Sequence, residues 1–217
     1  MARKRDEAAF EAKKSKILRA AEALFVEHGF HQTGMASICE AVGMSPGALY
    51  RYFPSKTAII KAIVEEERAG TMALLNHLAD ASDFRKTVAA VLIETIIAVS
   101  DETYARLALE IAAEGARNPE IAAIIAVAER EAHERLSGLI AAAQDRGQVD
   151  PDVDSAVAAT ILFMLIDGAV TLSASTSRVP GARLRRDLER VVDGVLGTGA
   201  RDATPPSPLE EEGRGGG

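Results

Sequence analysis

Tryptophan is absent from this 217-residue chain, cysteine occurs once, and aromatic residues make up only 4% of it. The single cysteine, Cys39, excludes an intrachain disulfide and a cysteine-based zinc site. No long stretch alternates apolar and polar residues, and no Asn-Gly or Asp-Gly pair joins two strand-like runs, so a sheet has nothing to start from. The opening MARKRDEAAFEAKK lacks the apolar centre of a signal peptide. The most apolar run, 156–166, is too short to span a bilayer, and Asp167 follows it. A cytoplasmic, reducing location without a membrane partner is the expectation. Four scattered histidines supply neither a metal site nor an acid-base set, so no enzyme and no cofactor is expected.

Alanine, leucine, isoleucine and glutamate dominate instead, a composition that favours helices packed on helices, and the chain reads as all-α. Its net charge of −7 argues against nucleic acid only when taken whole. Residues 1–56 hold nine Lys/Arg against six Asp/Glu, and the acidic excess lies entirely in the remainder. A basic head on an acidic body suits a DNA contact at one end.

Capping residues divide the chain. A first helix runs from about Glu11 to His28 and stops at Gly29; short helices follow over Met35 to Val42 and Pro46 to Phe53, joined by the turn Gly43-Met44-Ser45. Ser55 opens a long fourth helix containing Gly70, which is either a packing glycine or a hinge. Ser82 or Asp83, Asp101 and the pair Asn118-Pro119 open the next three. Asp152 to about Thr176 is apolar nearly all round, Pro180-Gly181 leads into a last helix ending at Leu196, and 198–217 read as a disordered tail.

Between Tyr50 and Lys56 the chain concentrates two tyrosines, a phenylalanine, an arginine and a lysine. Gly43-Met44-Ser45-Pro46-Gly47 matches the nucleophile-elbow pattern, but that elbow needs a strand before its serine, and Met35, Ile38 and Val42 repeat at helical spacing. Two short helices across a tight glycine turn, braced by a third, make a helix-turn-helix instead. The second enters the DNA major groove. Leu49 and Phe53 face the core, leaving Gly47, Ala48, Tyr50, Arg51 and Tyr52 outward. Gly47 and Ala48 permit close backbone approach to base edges, Arg51 can bind guanine bidentately, and the tyrosine hydroxyls, Lys56 and the amide end opened by Ser45 and Pro46 suit phosphates.

Residues 17–64 resemble the DNA-binding region of the tetracycline-repressor (TetR) family: Ala20, Ala21, Phe25, Gly29, Thr33, Ile38, Gly43, Ser45, Gly47, Leu49, Tyr50, Phe53 and Lys56 stand at that family's spacing. The resemblance implies an all-α homodimer with an N-terminal three-helix helix-turn-helix domain, 1–56, and a C-terminal helical ligand-binding and dimerisation domain, 57–197. It further implies repression of a double-stranded operator relieved by a small molecule. By the same resemblance Thr33, Tyr50 and Lys56 contact phosphate and Gly47 approaches the bases. Gly34, Cys39 and Ala48 depart from the usual residues. A DNA-binding or chromosome-organising protein that needs no ligand is the second reading.

In the body, the all-round apolar helix after Asp152 needs covering on every face, which a partner subunit supplies through the last two helices. In this reading Leu184, Leu188, Val191 and Val195 join that interface, and Arg183, Arg185, Arg186 and Arg190 form a solvated rim. Polar groups on apolar stripes mark a ligand cavity: Thr95, Tyr104 and Asp167, with His77 and Met164 added. The effector is expected to be small and hydrophobic, uncharged or cationic. Glu102, Arg106, Glu110 and Glu114 recur every four residues and read as a solvated ladder, and Glu129 with His133 as an exposed face.

Overall fold

The structure, a computed structural model, describes the backbone of residues 2–175 and 181–197 and the side chains of 7–175 and 184–197. The tail 198–217 and the side chain of Arg183 therefore lie outside the described residues. The chain is all-α, as composition and capping predict: α1 Ala2–Gln32, α2 Met35–Val42, α3 Pro46–Tyr50, α4 Lys56–Ala79, α5 Phe84–Val99, α6 Glu102–Gly115, α7 Pro119–Asp145, α8 Ser155–Ala174 and α9 Gly181–Leu196.

The caps explain most of these limits. Ser55, Asp83, Asp101 and Asn118 each accept a hydrogen bond from a backbone N–H in the first turn of α4, α5, α6 and α7. Four boundaries differ from expectation, one of them the end of α3, at Tyr50 instead of Phe53, where the Tyr52 N–H turns to Leu49 O in a tighter bond three residues back. α1 starts well before Glu11, because a charged stretch without apolar periodicity still prolongs a nucleated helix. Gly29 does not end α1 but breaks it, at φ 77° and ψ 159°, conformational space open essentially to glycine alone. α8 begins at Ser155, because the Asp150 carboxylate accepts the N–H of Asp152 and holds 150–153 as a turn, leaving Asp154 to cap the N–H groups of Ala156 and Val157.

Two apolar cores result. One joins α1, α2 and α3 to the first half of α4, through Ile59, Ile60, Ile63 and Val64, and takes Ile121 from α7. The other is built from the far end of α4, α5, α7, α8 and α9. The packing division thus falls inside α4 rather than at its start. A Cβ on Gly70 would meet nothing within 4 Å, which removes the packing account of that glycine.

By length and composition alone α8 could cross a membrane, a test that the core helix of a soluble protein also meets. Asp167 ends the apolar run of the sequence but not the helix, which continues to Ala174 and makes the apolar segment longer than 156–166. Ala158, Ala159, Leu162 and Ala169 pack it into the second core, while Val157, Ile161, Met164 and Leu172 are exposed on the opposite side. On α9, Leu188, Val192 and Leu196 turn into the chain's own core; of the four residues expected at a partner, Val191 is exposed and Leu188 is not.

Candidate nucleic-acid interface and internal cavity

α2 ends in a Schellman turn. Gly43, at φ 67°, donates its N–H to Glu40 O, and Met44 donates to Cys39 O. The left-handed residue reverses the chain within two positions, and Ser45 then caps α3 by accepting from Ala48 N. Ser45, Pro46, Gly47, Tyr50 and Arg51 are exposed, Ala48 and Tyr52 half-buried, while Leu49 and Phe53 are buried against α1 and α4. Arg51 enters no ion pair among the described residues. Tyr52 is partly occupied: its ring stacks on Phe10 of α1 with centroids 4.6 Å apart.

Two expected contacts are corrected. The Thr33 side chain is buried, and its hydroxyl donates within reach of Leu24 O and Gly29 O, so it closes the end of α1 and cannot meet a phosphate. Lys56 likewise turns inward: its ammonium donates to Phe30 O and, at 2.9 Å, to Thr33 O, and lies 4.0 Å from the Phe30 ring centroid. Burial holds its pKa below the ordinary lysine value, against the opposing field of Glu114. Lys56 thereby serves carbonyls at the end of α1, where no intrahelical donor follows, whereas the Gly29 carbonyl that the Thr33 hydroxyl reaches already accepts the Thr33 N–H. Lys56→Met should therefore destabilise the protein by about 1.5–3 kcal/mol in denaturant titration, the worth of charge-assisted hydrogen bonds. An unchanged unfolding midpoint with weakened DNA binding would return Lys56 to the phosphates.

The same break receives α6. Glu110 accepts the N–H of Phe30 at 3.0 Å, and the buried Glu114 carboxylate stands 3.2 Å from His31 Nε2 and 3.8 Å from Arg117. Only Glu102 and Arg106, paired at 2.7 Å, behave as a solvated ladder. The other half of that ladder docks the body onto the head, through a partner 80 residues away in the chain that periodicity does not reveal.

A cavity of about 650 Å³ opens between α4, α5, α6, α7 and α8. Thr95, Tyr104 and Asp167 line it; His77 and Met164 do not. His77 is exposed on α4 and Met164 on α8, each at the edge of its helix's lining face, three residues from the lining Leu74 and Asp167. Glu67, Arg68, Glu129 and His133 also line it and were missed, lying in runs such as EEER and EREAHER whose polarity suggests solvent. Tyr104 Oη donates to Glu67 at 2.7 Å, tying α6 to α4. Arg68 pairs with Glu65 at 2.6 Å and Glu131 at 2.8 Å. His133 Nδ1 donates to Glu129 O at 2.9 Å, and its ring packs on Phe163. Burial raises the Glu67 carboxyl, against Tyr104 and Arg19, and raises Asp167, against His133; burial followed by Glu67 and Asp167 raises the Tyr104 phenol. Glu67 and Asp167 nevertheless remain exposed residues, and both line the cavity.

The chain is similar to known proteins over most of its length. Residues 17–63 match the family model for bacterial regulatory proteins of the tetR family, and 85–197 match that for the C-terminal part of BetI-type transcriptional repressors. The HTH-type transcriptional regulator UidR of Escherichia coli K12 is 30% identical over 84% of this chain and 92% of its own. GusR of Salmonella enterica superposes with a TM-score of 0.72 at 34% identity, over 84% of this chain and 94% of that one. The regulator FadR of Bacillus subtilis, solved in complex with stearoyl-CoA, shares the fold with a TM-score of 0.70 at 19% identity, over 84% and 99% of the two chains.

Proposed function

The chain belongs to the tetR family of bacterial regulatory proteins, and from that premise we propose a homodimeric repressor, acting in the cytoplasm, that leaves a palindromic operator when a small molecule fills the cavity. It is a DNA-binding transcriptional regulator, not an enzyme. Within it, we assign DNA contact to 1–56 and effector binding and dimerisation to 57–197. At the interface Gly47 approaches the bases, Arg51 reads one of them, and Ser45, Pro46, Ala48, Tyr50 and the free edge of Tyr52 lie along the backbone.

The observation that carries the ligand-gated reading is the cavity's place. Its walls include α4, which starts at Ser55 beside the recognition helix, and α6, whose Glu110 and Glu114 hold the end of α1. A ligand that parts Tyr104 from Glu67 would shift both helices against the head, and the open surroundings of Gly70 allow α4 to bend between the two cores. Linkage then requires DNA to weaken ligand binding by the factor by which ligand weakens DNA binding. The cavity, of the size that holds small ligands, favours this reading over a chromosome-organising protein without a ligand. The fold-level likeness to a protein solved with stearoyl-CoA supports a ligand among these helices without naming this chain's own.

Selection of bound fragments from the source genome tests the proposal. The recovered sites should be near-palindromes whose half-sites lie about one helical turn apart, roughly 34–36 Å, or a multiple of it. On such a site Arg51→Ala should relax preference at one base pair per half-site, costing about 1–3 kcal/mol there. Tyr50→Phe should weaken all sequences alike. Equal loss on every sequence for Arg51→Ala would move that guanidinium to the phosphates, and recovery of fragments without common symmetry would sink the operator reading.

A further inference from the structure

We propose that the cavity takes an organic ammonium ion, its charged head between Glu67, Tyr104 and Asp167 and its apolar body against Leu92 and Ile111. This rests on the ligand-gated reading above and names the ligand's chemical class.

The argument is one of charge. Three carboxylates line the cavity, those of Glu67, Glu129 and Asp167, and none of them enters an ion pair among the described residues. The one guanidinium on the wall, Arg68, is already neutralised twice over by Glu65 and Glu131, neither of which lines the cavity. An acyl chain ending in a carboxylate or phosphate would add to the negative charge of these three exposed side chains, which Arg19 offsets at Glu67 and His133 at Asp167 only from beyond ion-pair distance. A cation offsets that charge and is itself paired where it enters the apolar part of the cavity. Tyr104 adds a second attraction, since its ring can face a cation while its hydroxyl already marks where a donor to Glu67 belongs. Glu67 comes from α4, Tyr104 from α6 and Asp167 from α8, so three helices converge on one head group. The ammonium would replace the tyrosine hydroxyl as donor to Glu67, which is the α4–α6 link.

The test uses the full-length protein and three probes of one shape: 6-phenylhexylamine, 6-phenylhexan-1-ol and 6-phenylhexanoate, titrated calorimetrically at neutral pH. The amine should bind at least about tenfold more tightly than the alcohol, and the carboxylate weakest. Glu67→Gln and Asp167→Asn should each bring the amine toward the alcohol's affinity while leaving the alcohol unchanged; the wild-type ranking needs no variant to fold. An alcohol or carboxylate that equals the amine overturns the ammonium assignment and leaves the cavity as a ligand site. Absence of heat from all three up to about 1 mM also overturns it. In that event, operator release by the small-molecule fraction of a cell extract keeps the ligand-gated reading alone, and no release removes it as well.

Discussion

Replacing Gly47 with glutamate should leave the fold intact and remove operator binding. A Cβ at that position meets nothing within 4 Å, and the residue is exposed in the first turn of α3, where an acidic side chain favours a helix. Thermal unfolding should therefore shift little or upward. On DNA the same side chain would push the recognition helix away from base edges and set a carboxylate among phosphates. Affinity should fall by about 100-fold or more, on the specific site and on random duplex alike. Gly47→Ala, which adds only a methyl group, should lie between the two. A glutamate variant that keeps its affinity would mean that α3 does not approach DNA by this face.

The second large effect concerns assembly. Val157, Ile161, Met164, Gly168 and Leu172 follow one another at steps of four, three, four and four residues, a single exposed stripe along α8, with Val191 of α9 exposed as well. Gly168 has open space where its Cβ would stand, so a second helix can come close there. Across a two-fold axis every substitution occurs twice. Met164 is 64% exposed in the single chain, so Met164→Glu should spare the subunit's own fold. It should raise the dimer dissociation constant by about a thousandfold or more, because two carboxylates would be buried unpaired. Sedimentation should show a wild-type dimer at micromolar concentration and a monomeric variant with weakened operator binding. A wild-type monomer across that range, or an unchanged variant dimer, would place the contact elsewhere.

Helix limits were legible where a side chain competes for a helix end. Ser55, Asp101 and Asn118-Pro119 each mark the start that the structure shows, because capping is a contact between near neighbours. The start of α1 was not, since its charged first turns carry no apolar period. Residue type likewise revealed which groups could do chemistry but not where they point. Thr33 and Lys56 look like phosphate ligands until the end of α1 is seen to fold back on their donors. Tyr104, Thr95 and Asp167 stood out as polar groups on apolar stripes, whereas Glu67 and His133 were hidden by charged neighbours in the chain.

The seam at Gly29 also bears on how such a regulator could be rebuilt. Exchanging DNA-reading heads between relatives invites a cut at Ser55, where the recognition unit ends and a long helix begins. In this chain that cut would give the foreign head a body whose Glu110 seeks an amide at residue 30, whose Glu114 seeks the imidazole of His31, and whose Ile121 fills the head's own core. A workable chimera has to carry those three body positions along with the head, or keep Gly29, Phe30 and His31 from the recipient. Otherwise it would read its new operator while deaf to its effector.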